Sequence, residues 1–279
     1  MGPDVRSRLR DELHRRVYGR RSNERRREIF ESDEPGWFDD DAAIRVVHGD
    51  VSMFIGGLRA LLMQTLHPLA MAGVAQHSSY RTDPWGRLER TAHFVTATSF
   101  GPASMAENAV ATVHRVHERV QGTASDGRPY SANDPHLLLW VHLAEIDSFF
   151  AAHDRYGSRP LTGADRDRYV ADTAVVADRL GVINPPESER AMRERMRAFR
   201  PELRATPEAR EAVRYLLVRP PVSGPLRPVY GVIAAAAVEL MPLWTRRPLR
   251  LPFLPIVESF AVRPVGEALT RTLRWASTA

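Results

Sequence analysis

The 279-residue sequence gathers its potential chemistry in one stretch. Eight of the ten histidines lie between His67 and His153, together with Trp85, Trp140 and several arginines. His114 and His117 stand in VHRVHERV, three residues apart and therefore on one face of a helix. Two imidazoles at that spacing could share a metal, but no third ligand at helical spacing is evident, and neither HExxH nor Glu-x-x-His occurs. A single histidine projecting from a helix is also what a non-covalent haem needs on its proximal side. A partly buried structural histidine has the same spacing. The second constellation is Arg87, Arg90 and Thr91, at i, i+3 and i+4 in RLERT, which puts two guanidinium groups and a hydroxyl on one face. Such a face binds carboxylates or polarises dioxygen, and a solvated arginine face beside Glu89 looks the same in sequence.

Two absences narrow the chemistry further. All 39 basic residues are arginine, so Schiff-base catalysis, a P-loop lysine and a lysine base are excluded. The chain has no cysteine, which removes thiol nucleophiles, iron–sulfur clusters, thiolate-ligated or covalent c-type haem and Cys-based zinc sites. Histidine, carboxylate, hydroxyl, arginine and a non-covalent cofactor remain. The net charge of +5 is spread among acids and is no nucleic-acid-binding patch. The N-terminus lacks the apolar core of a signal peptide, and the best membrane candidate, Val232–Trp244, is too short to span and carries Glu239 and Pro242. A cytoplasmic protein is expected.

The elements that must position these residues read as helices. Arg6–Tyr18 is a basic amphipathic pattern, followed by a basic run, Arg20–Arg27, and an acidic one, Glu31–Asp41, read as solvated face and loop. Leu58–Leu66 reads as a buried helix stopped by His67-Pro68, with Leu69–His77 a second. After the turn-rich Ser78–Trp85, helices are expected over Gly86–Phe100 and Ser104–Val120, then a loop, GTASDGRPYSAND. Asn133-Asp134-Pro135 starts a long apolar helix to about Tyr156, and Thr162-Gly163-Ala164-Asp165 starts one ending near Gly181. Pro185–Phe199, Pro207–Val218, an apolar helix beginning at Ala234–Ala237 and Val265–Ala276 follow, with Pro242–Pro264 interrupted by prolines. No alternating strands and no repeats are evident.

Four strings, GGLRALLMQTLHPLAMAGVAQHS, RTDPWGRLERT, VHRVHERVQG and GRPYSANDPHLLLWVH, occur in this order. They resemble the oxygenase family of bacterial latex-clearing protein and the fungal mycophenolic-acid-pathway oxygenase. The resemblance covers roughly residues 42–181; the last third follows it only loosely, through apolar helices and the turn near Met241-Pro242. It implies a globin-like fold holding one haem b. His117 corresponds to the family's proximal histidine, with His114 at the accompanying upstream position. Arg87 and Thr91 correspond to the ends of a distal Arg-x-x-Lys-Thr motif, and Arg90 stands where the family has a lysine that can ligate the resting iron. A guanidinium is a poor iron ligand, so that resting state is not expected here. Arg59, His67, His77 and Asp83 match other family positions, as propionate partners or fixers of the helix junction, with capping or an ion pair the expectation for Asp83. Tyr130, Trp140 and His142 read as core packing.

The resulting expectation is an all-α protein with a globin-like core and additional C-terminal helices. Residues 1–41 form an N-terminal helix and charged linker, and 42–279 one haem-binding domain with helices from about 185 as cover. His117 is the expected iron ligand, His114, Arg59 and His77 the other cofactor contacts, and Arg87, Arg90 and Thr91 the catalytic face. The expected function is oxidation of an apolar, isoprenoid-like small molecule with dioxygen. The alternative is a haem-binding sensor or carrier without turnover. No nucleic-acid partner and no transmembrane segment are expected, and a homo-oligomer is left open.

Overall fold

The computed structural model describes residues 28–29, 32–220, 222 and 224–277; the helix expected over Arg6–Tyr18 and the run Arg20–Arg27 lie outside them. The described chain is predominantly helical. In order come α1 (Ala43–His48), α2 (Met53–Gln64), α3 (Pro68–His77), α4 (Pro84–Phe100) and α5 (Ala103–His117). A small antiparallel hairpin follows, β1 (Gln121–Thr123) and β2 (Pro129–Ser131), pairing Gly122 with Tyr130. Then come α6 (Pro135–Tyr156), α7 (Gly163–Arg179), α8 (Glu189–Phe199), α9 (Pro207–Val218), α10 (Arg227–Glu239), α11 (Leu243–Leu249) and α12 (Arg263–Ser277).

Local chemistry explains most of the starts. Asp83, Asp134, Thr162, Ser188 and Thr206 each accept a backbone N–H from the first turn of their helix, and proline follows at once at 84, 135 and 207. The helix at Pro84 begins two residues before the expected Gly86, by the same Asp-Pro signal that starts α6. Similarly, α8 begins only after the Pro185-Pro186 pair, at the Ser188 cap. The stretch expected as a loop, 122–134, holds nearly all of the β hairpin, and α5 ends at His117 rather than Val120.

The central contact is α2 against α6. It requires Gly56: a Cβ there would lie 2.9 Å from Phe149 Cδ1 and 3.2 Å from Ala152 Cβ. The helix expected over Leu58–Leu66 begins earlier, at Met53, and carries Gly56 where the packing leaves no room for a side chain. Around this pair, Leu62, Met63, Trp140, Leu143, Tyr169 and Met192 are among the fully buried side chains. The later helices join the same core through Phe199, Val213, Met241 and Leu249, while α10 lies along α2 with Ala236 and Ala237 buried.

Arg59 ties three of these helices together. From α2 it donates to Asp147 Oδ2 (2.8 Å) and Ser148 Oγ (2.7 Å) on α6 and to the Leu240 carbonyl (3.0 Å) after α10. Its guanidinium is buried and all three nitrogens serve the helix junction.

Candidate functional site

Helices α4 and α5 form an antiparallel hairpin about Gly101-Pro102, and its burial changes along its length. At the turn end Ala97, Thr98 and Ser99 of α4 and Ala106 and Val110 of α5 are buried. Towards the other end Phe94, Val113 and His117 are only half-buried and Thr91 is exposed. The hairpin is therefore closed at its turn and open at its far end. Arg87 and His117 each stand about 14 residues from the turn, ~21 Å along their own helices.

The α5 side carries His117 on the stripe of Ala106, Val110 and Val113, whose first two members are buried. Burial, then the neighbouring His114, lowers the His117 pKa, so its imidazole is neutral near pH 7, the form that binds a metal. His114 is otherwise occupied: its Nε2 donates to the Arg179 carbonyl at the end of α7 (3.0 Å). The two histidines of the motif thus differ: His114 anchors α5 to the end of α7, and His117 is half-buried with no hydrogen bond to a described residue. The start of α5 is capped from afar. Pro102 offers no side-chain cap, and Glu34 accepts both the Ser104 N–H (2.8 Å) and its hydroxyl (2.6 Å). The acidic run read as solvated therefore includes a remote helix cap.

On α4, Arg87 is half-buried and Nη1 donates to Ser78 Oγ (2.5 Å); burial moves its pKa down from the ordinary guanidinium value without threatening its charge. Thr91 Oγ1 donates to the Arg87 carbonyl (3.1 Å), one turn back. Arg90 is exposed and bridges Asp83 Oδ2 and Ser79 Oγ, each at 3.3 Å. Asp83 therefore caps α4 and pairs with a surface arginine. The structure brings Arg87 and Thr91 to the half-open face with Thr98 and leaves Arg90 at its rim. His77 is exposed, its Nε2 3.1 Å from the Tyr130 hydroxyl, which itself donates to Gln76 Oε1 (2.7 Å). It fastens α3 to the β hairpin, and Arg59 sits in the helix junction described above.

On α6 the sequence reading took His142 as core packing, where the structure leaves it half-buried, and did not single out Glu145. Leu138, His142, Glu145 and Phe149 form one stripe of α6. At one end, Leu138 Cδ1 and His114 Cε1 border the same point beside Gly181. At the other, Phe149 meets the His48 ring edge-on (5.2 Å), and His48 contacts Ser99 Oγ of α4 (2.8 Å) and the Tyr169 hydroxyl of α7 (3.2 Å). His142 and Glu145 lie between these contacts along α6. His142 Nε2 is buried without a hydrogen bond, and Glu145 has neither hydrogen bond nor ion pair among the described residues. Burial pushes His142 down to about 4 and Glu145 up to about 7. A polar pair at i, i+3 inside LLLWVHLAEIDSFF is the signal that could have revealed them. The expectation that Trp140 and Tyr130 pack in the interior holds, since both are buried.

Glu145 has a measurable consequence. Its folded pKa is raised from 4.5 to about 7, so the folded state binds the proton more tightly than the unfolded chain, and stability falls as pH rises between those values. Glu145→Gln should stabilise the protein by roughly 2–3 kcal/mol at about pH 8 and by under about 1 kcal/mol at about pH 5. Urea titrations of both proteins at the two pH values test this; an equal gain at both would mean that the carboxyl is solvated.

One further cluster has metal-like composition. Ligand atoms of His67, His136 and Glu202 all lie within 4.8 Å of one another. However, His67 Nδ1 accepts the Ala70 N–H (3.5 Å) as the cap of α3, which leaves the proton on Nε2, directed at Glu202 (3.5 Å). His136 Nε2 is 2.9 Å from the same carboxylate. Glu202 is thus hydrogen-bonded to His136 at the start of α6 and in longer contact with His67 at the start of α3, whose buried Nε2 makes no hydrogen bond to a described residue.

Residues 45–275 match the family described as ER-bound oxygenase mpaB/B′/rubber oxygenase, catalytic domain. No curated protein and no solved structure gives a significant match.

Proposed function

This chain belongs to the mpaB/rubber oxygenase catalytic-domain family, and we propose that it is a haem b oxygenase acting with dioxygen on an apolar, isoprenoid-like small molecule. Membership makes it an oxygenase-type oxidoreductase; the cofactor, substrate and residue roles are the reading argued here. The observation that carries it is a neutral, half-buried His117 at the end of α5, with the half-buried Arg87 on the neighbouring helix α4.

The donor set fits haem. His117 supplies the imidazole, and Arg87, with Arg90 at the rim, supplies cations of the kind that hold propionates. Reduced haem iron contributes the binding and activation of dioxygen. Arg87, always protonated, offers N–H donors to anionic charge beside it. Glu145, its pKa raised to about 7 by burial, can hold or accept a proton at its carboxyl oxygen. Phe94, Val95 and Val113 add half-buried apolar surface on the same two helices, which suits a hydrocarbon substrate. Cleavage of one C=C bond, with both atoms of dioxygen ending as two carbonyls, balances without a further oxidant or reductant.

Haem-loaded protein incubated with apolar polyenes and isotopically labelled dioxygen tests the reaction. Labelled carbonyl products support it, whereas ligand binding with no uptake of dioxygen would favour the carrier alternative. The two arginines should also separate. Arg87→Ala is expected to weaken haem retention by about tenfold or more, the worth of a charge-assisted hydrogen bond, and Arg90→Ala by less than about threefold, because its guanidinium is exposed and committed to Asp83. Haem transfer to an apoglobin measures both; equal losses would place Arg90 on the cofactor as well.

A further inference from the structure

The segment from Pro252 to Ala261 is a ridge of apolar side chains that the fold leaves uncovered. Phe260 is 82% exposed and Ile256 73%, and Phe253, Leu254 and Val257 are each at least half exposed. Leu243 of α11, also exposed, lines one depression together with Phe253, Arg247 and Arg250. Isolated surface apolar residues need no explanation, but a contiguous run of this size marks an interaction site.

The ridge is held in this exposed form from beneath. Arg246 Nη1 pairs with Glu258 Oε1 at 2.6 Å, and both groups are buried. Arg246 also donates to the carbonyls of Met241 (2.9 Å), Pro252 (3.2 Å) and Glu239, and Glu258 Oε1 accepts the Leu254 N–H (3.1 Å). A π-helical turn, Glu258–Val262, then leads into α12. The polar side of the segment is therefore saturated inward and the apolar side faces out.

Its charge indicates what covers it. Between Leu240 and Gly266 the one carboxylate is Glu258, which is committed to Arg246. Arg247 and Arg250 are exposed at the foot of the ridge, and Arg210 of α9 lines the adjoining depression. Between Leu240 and Gly266 the surface offers apolar tips and guanidinium groups, and its one carboxylate is turned inward. A symmetric pairing of two such surfaces would bring arginines into an interface without counter-charges. An anionic lipid surface supplies both the apolar medium and the negative charge.

We propose that this ridge docks the protein on anionic membranes. Ile256, Val257 and Phe260 enter the boundary between headgroups and acyl chains, and Arg247 and Arg250 meet lipid phosphates. Docking is at the surface, since no single described helix is long and apolar enough to cross a bilayer. A bilayer is also where an apolar substrate would be dissolved, although the docking argument stands without the haem reading.

Co-sedimentation of the full chain with phosphatidylcholine vesicles, with and without phosphatidylglycerol, tests it. The wild-type protein should bind the phosphatidylglycerol vesicles, more weakly as salt rises. The double variant Ile256→Glu, Phe260→Glu should bind them about tenfold or more weakly, as expected from withdrawing two large apolar groups. Its melting temperature should be unchanged, because both side chains are exposed. Arg247→Glu with Arg250→Glu should abolish the preference for the anionic lipid. Failure of the wild type to bind, or wild-type binding by the ridge variant, overturns the proposal. So does a dimer in sedimentation equilibrium that the ridge variant splits, which would give the surface to a second copy. Amide-exchange protection of 252–261 in a lipid-free monomer would overturn it too, by placing another part of the same chain on the ridge.

Discussion

A His117→Ala variant should fold, purify and fail to retain haem, with no Soret band above that of haem free in buffer. The imidazole is half-buried at the last residue of α5, so its removal costs little packing. What is lost is the metal-ligand bond, for which no other imidazole on α5 can substitute, because the Nε2 of His114 is spent on the Arg179 carbonyl. The comparison is sharp for that reason. His114→Ala should keep its Soret band and instead lose stability, on the order of 1 kcal/mol, as the end of α7 loses a hydrogen bond. Addition of imidazole to His117→Ala should restore a shifted band if the site is intact. An unchanged spectrum in His117→Ala would end the assignment of this residue as the iron ligand. A band lost from His114→Ala alone would exchange the two roles.

The largest effect on stability is expected from Arg59→Ala, at roughly 3–5 kcal/mol, because removing one member of a buried pair leaves its partners uncompensated. Three acceptors lose their donor together, the Asp147 carboxylate, the Ser148 hydroxyl and the Leu240 carbonyl, and they belong to two different helical segments. Asp147 retains some exposure and can turn to water, which places the cost towards the lower end of that range. Chemical denaturation of the apo-protein gives the number directly. It also decides between two roles for this residue. A stability loss with haem affinity intact makes Arg59 the bolt of the α2–α6–α10 junction. A haem-affinity loss with stability intact would make it a cofactor contact, as its place in the family pattern implies.

Helix starts were legible because they are local. Asp134-Pro135 and Thr206-Pro207 each combine a side-chain acceptor with a residue that needs no N–H partner, all within one turn. Pro207–Val218 consequently has the bounds expected. The errors occur where distant residues overrule local preference. Gly56 looks like a helix breaker until Phe149 lies against it, and Glu34 looks like one acid in a solvated run until it caps Ser104. The β hairpin escaped notice because each strand is three residues long, too short to show alternation.

What the sequence determined by itself was the menu: no lysine or cysteine chemistry, a helical chain, and a histidine-rich segment whose ordered motifs identify an oxygenase family. These follow from composition and from interactions within a few residues. The resemblance already set His117 apart from His114, although their spacing alone does not. What only the tertiary structure adds is that the end of α7, sixty-odd residues later, occupies His114. Tertiary structure likewise turned Glu145 from one residue of an apolar helix into a carboxyl held near neutrality, and 252–261 from a proline-broken helix into an outward ridge clamped by Arg246. The physical reason is common to all three. Solvation and hydrogen-bond supply depend on neighbours through space, and those neighbours come from parts of the chain that local pattern cannot bring together.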